Sequence, residues 1–240
     1  MNEEYVTGGY GSLVIPGKSD EEKVNVLFDM IKYVHSKGYQ LGIHTTGDRA
    51  IDTAIDGFLK AMDETDIEDP RHYIIHGDSI SREKAETLAR HNLGLSMQPF
   101  ISVMISDFTP AILGEERAAR EFPMKTALDA GVRLTSNSDA PVTYPNWRLG
   151  VQAAVLRENV NSGNVSGPEQ CISVEEAILT YTINGAWQDH MDHIKGSIET
   201  GKLADFCIID GDILEVDPHD IGKISVVMTI VGGKVVFSSE

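Results

Sequence analysis

The chain of 240 residues is long enough for one large domain or two small ones. Its 41% apolar and 24% charged residues are typical of a soluble globular protein, and its net charge of −17 argues against nucleic acid and anionic membranes as partners. No apolar run reaches transmembrane length, and the acidic start "MNEEYVTGGYGS" lacks the features of a signal peptide. With only two cysteines in no close-spaced motif, we expect a cytoplasmic protein.

Strands and helices are predicted to alternate along most of the chain. After a glycine-rich loop, apolar periodicity and capping residues predict helices over 20–37, 48–62, 82–91, 119–130, 147–160 and 173–188. Strands are predicted over 39–44, 72–76, 93–98 and 132–137, and the stretch 100–118 is predicted to be irregular. Ser173 and Glu176 have capping-box spacing, and Asn184-Gly185 is predicted to end its helix.

The pattern changes after Gly196. Three short strands are predicted over 203–210, 224–231 and 234–239, with Gly232-Gly233 as a hairpin turn between the last two. The alternation before that point predicts an α/β fold with parallel strands, as in a partial (β/α)8 barrel of the TIM type. We therefore expect four βα units in a barrel-like domain over 1–195, and a β-sandwich segment over 196–240.

Three polar side chains follow predicted strands. His44 closes "QLGIH", His76 closes "HYIIH" and Asp139 closes "VRLTSNSD". In barrels of parallel strands the carboxyl ends carry the chemistry, and neighbouring strands lie about 4.8 Å apart, so two imidazoles there could bind one ion. The sequence predicts His44, His76 and Asp139 as ligands of a divalent metal, with Zn²⁺ favoured, and Asp139 as the proton acceptor of a hydrolase.

Other readings of these residues stay open. Each histidine alone could be a structural loop residue, and Asp139 could instead cap a turn before Pro141. Asp48 suits a helix N-terminus, whereas Arg49 could pair with it or bind a substrate carboxylate. The pair Arg71-His72 begins its strand and therefore favours a structural role. Surface positions are expected for the histidines of "HMDH", residues 190–193.

A longer series of motifs resembles the amidohydrolase superfamily, in its amidohydrolase-3 (YtcJ-like) branch. The motifs occur in order as "GIHTTGDRAID", "RHYIIHGDSIS", "LSMQPF", "SNSDAPVTYPNW", "ILTYTINGAW" and "KGSIETGKLADFCIID". The resemblance covers roughly residues 18–237. It implies a distorted (β/α)8 barrel with a small β-sandwich, and hydrolysis of C–N bonds in small amides or cyclic amides by metal-activated water. By position, His44 and His76 match histidines of the fifth and sixth strands, and Asp139 matches the aspartate of the eighth.

The chain also departs from this family pattern. The family opens its barrel with a His-x-His pair, which is absent here, and many members use a lysine that residues 1–17 lack. Ile75-His76 stands where the branch usually has Glu-His. The chain thus resembles the C-terminal half of such an enzyme. We expect a two-fold homodimer or a complementary N-terminal half as its partner, and an inactive scaffold or a small-molecule binding protein as the alternatives to a hydrolase.

Overall fold

A computed structural model gives the structure of the protein and describes residues 1–239. The α-helices of this part are α1 (Asp20–His35), α2 (Asp48–Asp63), α3 (Arg82–Arg90), α4 (Pro99–Ile105), α5 (Thr109–Leu113), α6 (Glu115–Ala118), α7 (Met124–Asp129), α8 (Trp147–Leu156), α9 (Val174–Tyr181) and α10 (Ile183–Gln188). The strands are β1 (Gly42–Thr45), β2 (Tyr73–His76), β3 (Gly94–Met97), β4 (Arg133–Ser136), β5 (Phe206–Ile209), β6 (Val226–Val231) and β7 (Lys234–Ser238).

The strands form two separate sheets. The first sheet has the order β1-β2-β3-β4 and is parallel, and the second has the order β5-β6-β7 and is antiparallel. Gly232 and Gly233 both have positive φ in the β6–β7 turn, as a two-residue hairpin of the predicted kind needs. The predicted α/β class is therefore confirmed, and the change to antiparallel strands falls where the sequence places it.

Serine caps define several helix starts. Ser19 Oγ accepts a hydrogen bond from Glu22 N at the start of α1, and Ser81 Oγ accepts one from Lys84 N at the start of α3. The predicted capping box of α9 is present in both directions between Ser173 and Glu176. These contacts satisfy N–H groups that have no partner inside the helix.

Three sequence predictions were wrong. The stretch 100–118 is not irregular, because α4, α5 and α6 occupy most of it. The helix predicted over 119–130 begins only at Met124, since Phe122 has a φ of 51° and Pro123 follows it. The Asn184-Gly185 pair does not end a helix but lies within α10, and the break comes earlier, at Thr182.

The described chain divides into two compact units. The first comprises Met1–Met97 with Ile105–Leu134, and the second comprises Gln98–Met104 with the chain from Thr135 onward. In the first unit, α1 and α2 pack so closely that a Cβ on Gly57 would lie 2.5 Å from Ile31 Cδ1. The fully buried side chains of this unit form its apolar core, and they include Ile31, Ile51, Ile55, Phe58, Ile74, Leu88, Leu93 and Leu95.

A buried chain of hydrogen bonds joins α1 to the starts of β1 and β2. Leu41 N donates to His72 Nδ1 at 3.0 Å, so the proton of neutral His72 resides on Nε2 and points to His35 Nδ1 at 2.9 Å. His35 Nε2 in turn donates to Thr65 Oγ1 at 2.7 Å. Burial lowers the pKa of His72 to about 4 and also lowers the pKa of His35. His72 is thus structural, as its position at the start of β2 indicates.

The antiparallel sheet of the second unit is much less covered than the parallel sheet. No residue of β5, β6 or β7 among those described is buried, and all five residues of β7 are exposed. Its exposed apolar side chains are Ile208, Val231, Val235, Val236 and Phe237. The core of this unit lies elsewhere, among residues such as Val151, Ile172, Ala177, Trp187, Ile221 and Ile224. None of the helices within residues 1–239 is both long and apolar enough to cross a membrane.

Candidate functional site

The two predicted histidine ligands come together at the carboxyl ends of β1 and β2. The ring centroids of His44 and His76 lie 4.4 Å apart, with an angle of 72° between the ring planes. His76 is the last residue of β2 and is buried, whereas His44 is the next-to-last residue of β1 and is exposed. One imidazole therefore faces solvent and the other lies below the surface beside it.

This contact is not the one that the strand register alone would produce. In the parallel pair, His44 is opposite Ile75 and Thr45 is opposite His76, so Thr45 and His76 would share one face. His76 has a φ of 70°, which ends the extended conformation of β2 and allows its ring to meet that of His44. Gly77 continues the turn with a φ of 68°, and a Cβ there would lie 2.5 Å from Leu95 Cδ1. This turn therefore requires glycine.

Two buried polar residues that sequence reasoning did not single out closely follow the histidines in the chain. Thr45 is buried, and so is Asp78, two residues beyond His76; within the described chain Thr45 Oγ1 and Asp78 Oδ1 have no hydrogen-bond partner. Burial raises the pKa of Asp78 well above its usual value, and the Glu121 carboxyl adds to the effect. Glu121 itself accepts a hydrogen bond of 2.5 Å from Ser79 Oγ. The sequence "IIHGD" shows Asp78 but contains no signal of its burial.

Asp139 lies in a turn of the second unit and not at the end of a strand. β4 ends at Ser136, three residues before Asp139. Asp139 N donates to Asn137 Oδ1 at 2.8 Å, and Val142 N donates to Asp139 O at 2.7 Å. The backbone of Asp139 is thus part of a turn in which Asn137 supplies the side-chain acceptor, and the role of the Asp139 carboxylate stays a prediction.

Arg49 is engaged in the first unit. Its Nη2 donates to Asp20 Oδ2 at 2.6 Å, and this guanidinium lowers the pKa of Asp20. The backbone N–H of Arg49 donates to Asp48 Oδ1, which also accepts from Asn2 N. The arrangement joins the start of α2 to the start of α1. A role of Arg49 in substrate binding stays a prediction.

The histidine pair has the donor chemistry of a transition-metal site, because neutral imidazole nitrogen is a common ligand of Zn²⁺. Two imidazoles are only half of the four donors that a tetrahedral ion takes. Within residues 1–239 no cluster of three or more His, Cys, Asp or Glu residues is arranged to hold a metal ion. The two histidines therefore fit the ion as part of a donor set that needs further ligands.

Comparison with protein families gives a match over almost the whole chain. The model described as "Amidohydrolase family" matches residues 1–237. The putative amidohydrolase YtcJ of Bacillus subtilis is 31% identical over 218 residues, which are 88% of this chain and 40% of that protein. The N-substituted formamide deformylase of Arthrobacter pascens is 28% identical over 82% of this chain and 36% of its own length.

Solved structures agree with this match. A metal-dependent hydrolase of uncharacterized function from Pyrococcus furiosus superposes with a TM-score of 0.72 at 26% identity, over 89% of this chain and 41% of that one. A similar hydrolase from Pyrococcus horikoshii gives a TM-score of 0.75 at 24% identity, and it covers 90% of this chain and 42% of its own. The chain spans about two fifths of the length of each of these relatives.

Proposed function

Because the chain belongs to the amidohydrolase family, we propose that it carries part of the site of a metal-dependent hydrolase that cleaves C–N bonds in small amides or cyclic amides. The observation that carries the proposal is the 4.4 Å contact of the His44 and His76 rings at the carboxyl ends of adjacent parallel strands. The similarity to a protein named N-substituted formamide deformylase supports amides as the substrate class.

Each residue of the proposed site has a distinct role. His44 and His76 would donate imidazole nitrogens to a divalent ion, with Zn²⁺ favoured by the ligand type. The ion, when bound, polarises a carbonyl group and makes water more acidic. Asp139 would be a further ligand and would take the proton of the attacking water, which it then passes to the leaving nitrogen.

We also propose that the parallel sheet is about half of a (β/α)8 barrel and that the site is completed by a second polypeptide. The partner would be a second copy of this chain or a complementary N-terminal half of the family fold. Two observations support a partner. β1 and β4 are the edges of the parallel sheet, and β7 exposes Val235, Val236 and Phe237. Edge strands and exposed apolar residues of this kind favour association.

A non-catalytic scaffold is the second candidate function. It is favoured by the donor set, since the histidine pair within residues 1–239 lacks the third ligand of a cluster. In that case the chain would bind a small molecule or a complementary chain without turnover. We expect the purified chain alone to hydrolyse amides and hydantoins slowly or not at all, because two imidazoles hold a catalytic ion weakly.

Zinc calorimetry tests the proposed site. We expect the chain to bind Zn²⁺ weakly, and His44→Ala and His76→Ala each to weaken binding at least about tenfold. His193→Ala is the matched control, because His193 is exposed and lies in the second unit. This variant should bind Zn²⁺ with the affinity of the wild-type chain. Unchanged zinc affinity in the double variant of His44 and His76 would refute the site. Turnover that His44→Ala abolishes would instead refute the expectation of weak activity.

Light scattering tests the proposed partner. If the partner is a second copy, we expect a dimer at micromolar concentration. If the partner is a complementary N-terminal half, we expect a monomer that forms a complex when that half is added. Val236→Lys should shift the chain toward monomer if β7 takes part, because it adds a charge to the middle of an exposed apolar strand. A wild-type monomer that binds no complementary half would contradict the proposal.

A further inference from the structure

The end of β4 is fixed by side chains from other elements of the second unit. Thr135 Oγ1 donates to Gln188 Oε1 of α10 at 2.9 Å. The hydroxyl oxygens of Ser136 and Thr180, the latter on α9, lie 2.8 Å apart. All four residues belong to the second unit, and Thr135, Ser136 and Thr180 are buried. The strand therefore enters the turn that follows it with its last two residues anchored.

The same pattern continues beyond the strand at Asn137. The side-chain oxygen Asn137 Oδ1 accepts two hydrogen bonds, one of 2.8 Å from Asp139 N and one of 3.2 Å from Gln98 Nε2. Gln98 is fully buried and precedes α4. A buried amide thus orients the Asn137 side chain, and that side chain holds the backbone of Asp139.

Asp139 needs such support because its φ is 53°, in a region that residues other than glycine rarely adopt. Two more bonds close the turn around it: Thr143 Oγ1 donates to Ser138 O at 2.5 Å, and Val142 N donates to Asp139 O at 2.7 Å. An uncommon backbone conformation persists when its surroundings determine it several times over. Here the four consecutive residues before Asp139 each have a hydrogen bond to a side chain.

We propose that Asn137 and Gln98 are positioning residues that fix the backbone of Asp139 and thereby the direction in which its carboxylate leaves the chain. The inference rests on the proposed role of Asp139 as ligand and proton acceptor. A proton acceptor works only when it is held close to its productive geometry, so the residues that hold it contribute to the reaction without contacting the substrate. Neither residue was singled out in the sequence.

Hydrogen exchange of the Asp139 amide in the full, ¹⁵N-labelled chain tests the proposal directly. Asn137→Ala removes the acceptor, so the Asp139 amide should exchange at least about fivefold faster, as expected for loss of one hydrogen bond. Gln98→Met removes the buried donor at similar size and should also increase the rate. Asn137→Asp keeps an acceptor oxygen at the same position and should restore the slow rate.

Asn146→Ala is the matched control for stability. Asn146 is also a side-chain acceptor in the second unit, where it caps α8 through Arg148 N. Asn146→Ala should lower the free energy of global unfolding. Once that loss is taken into account, the Asp139 amide should exchange at the wild-type rate. A wild-type exchange rate in Asn137→Ala, or no rescue by Asn137→Asp, would overturn the positioning role.

Zinc calorimetry separates this inference from the proposed function. Asn137→Ala should weaken Zn²⁺ binding in the same direction as Asp139→Ala and by a smaller factor. If Asp139→Ala leaves zinc affinity unchanged, the ligand role of Asp139 fails while the exchange result still decides whether Asn137 holds its backbone. If Asp139→Ala weakens binding and Asn137→Ala does not, the positioning role fails and the proposed function stands.

Discussion

The antiparallel sheet of this protein has more apolar strand sequences than the parallel sheet, and yet it is the more exposed of the two. All four residues of β3 in the parallel sheet are buried, whereas all five residues of β7 in the antiparallel sheet are exposed. The parallel strands alternate along the chain with helices that cover them, as crossover connections require. The strands β5 to β7 follow one another with no α-helix between them. A short apolar run in the sequence therefore predicts a strand. Whether that strand is buried depends on whether α-helices in the adjoining connections cover it.

A pair of phenylalanine variants gives the largest expected effect. Phe58→Ala should lower the free energy of unfolding by about 3–5 kcal/mol, because Phe58 is fully buried in the α/β core. Phe237→Ala should cost less than about 1 kcal/mol, because its side chain is 49% exposed. Urea denaturation of both variants measures the difference. Equal losses would show that a partner covers β7 in solution.

Acid should destabilise the first unit through His72. The pKa of His72 is about 4 in the folded state against an ordinary value of 6.5, so the unfolded chain binds the proton more readily between these values. The stability that neutral His72 contributes is present above pH 6.5 and falls by about 3 kcal/mol as the pH decreases to 4. Protonation would also place an N–H of His72 against the N–H of Leu41.

Urea denaturation between pH 7 and pH 4 measures this loss. His72→Gln should be less stable at pH 7 and should lose less stability on acidification. His91→Gln is the control, since His91 is exposed on the surface of the same unit and should leave the pH dependence unchanged. A wild-type pH slope in His72→Gln would contradict the assignment to this residue.

Removal of a serine helix cap should cost a similar free energy of unfolding in both units. The difference between the units would then lie in their sheets. Ser81→Ala in the first unit and Ser173→Ala in the second each remove one hydrogen bond that a helix N–H donates to a serine Oγ, of 3.2 Å and 3.1 Å. We expect each to cost about 1 kcal/mol in thermal or urea unfolding. A loss several times larger at one of them would indicate that its helix carries a tertiary role beyond the cap.

The smallest effect is expected at His219, on the surface of the second unit. Hydrogen bonds to Asp217 and then to Glu158 raise the pKa of His219, so its contribution is fully present below the ordinary value of 6.5 and is lost as the pH rises through the higher folded value. The sign is opposite to that of His72. Glu158→Gln should move the pKa of His219 toward 6.5 in an NMR titration. No movement would show that Asp217 alone causes the shift.

Amphipathic helices and caps were predictable from sequence because they depend on neighbours a few residues away. α1 and α2 begin at the predicted residues and end close to the predicted ones, and the capping box of Ser173 and Glu176 is present. The helices α4 to α6 were missed since each has seven residues or fewer, which is too short for a clear period. Glycine and asparagine inside α10 gave a false stop signal.

The candidate site divides in the same way. The positions of His44 and His76 at the ends of strands follow from local apolar patterns, and the parallel alternation predicts that they lie near one another. The contact itself depends on the φ of 70° at His76, which no sequence period encodes. The electrostatic effect of Glu121 on Asp78 and the hydrogen bond from Gln98 to Asn137 join residues that are far apart in the chain. The separation is 43 positions for Asp78 with Glu121 and 39 for Gln98 with Asn137.

By itself the sequence determined the family, the alternation of strands and helices and the two histidines, because these are local or repeated signals. Only the tertiary structure decided which polar groups are buried, which strands stay exposed and what holds Asp139, because these depend on packing between distant segments.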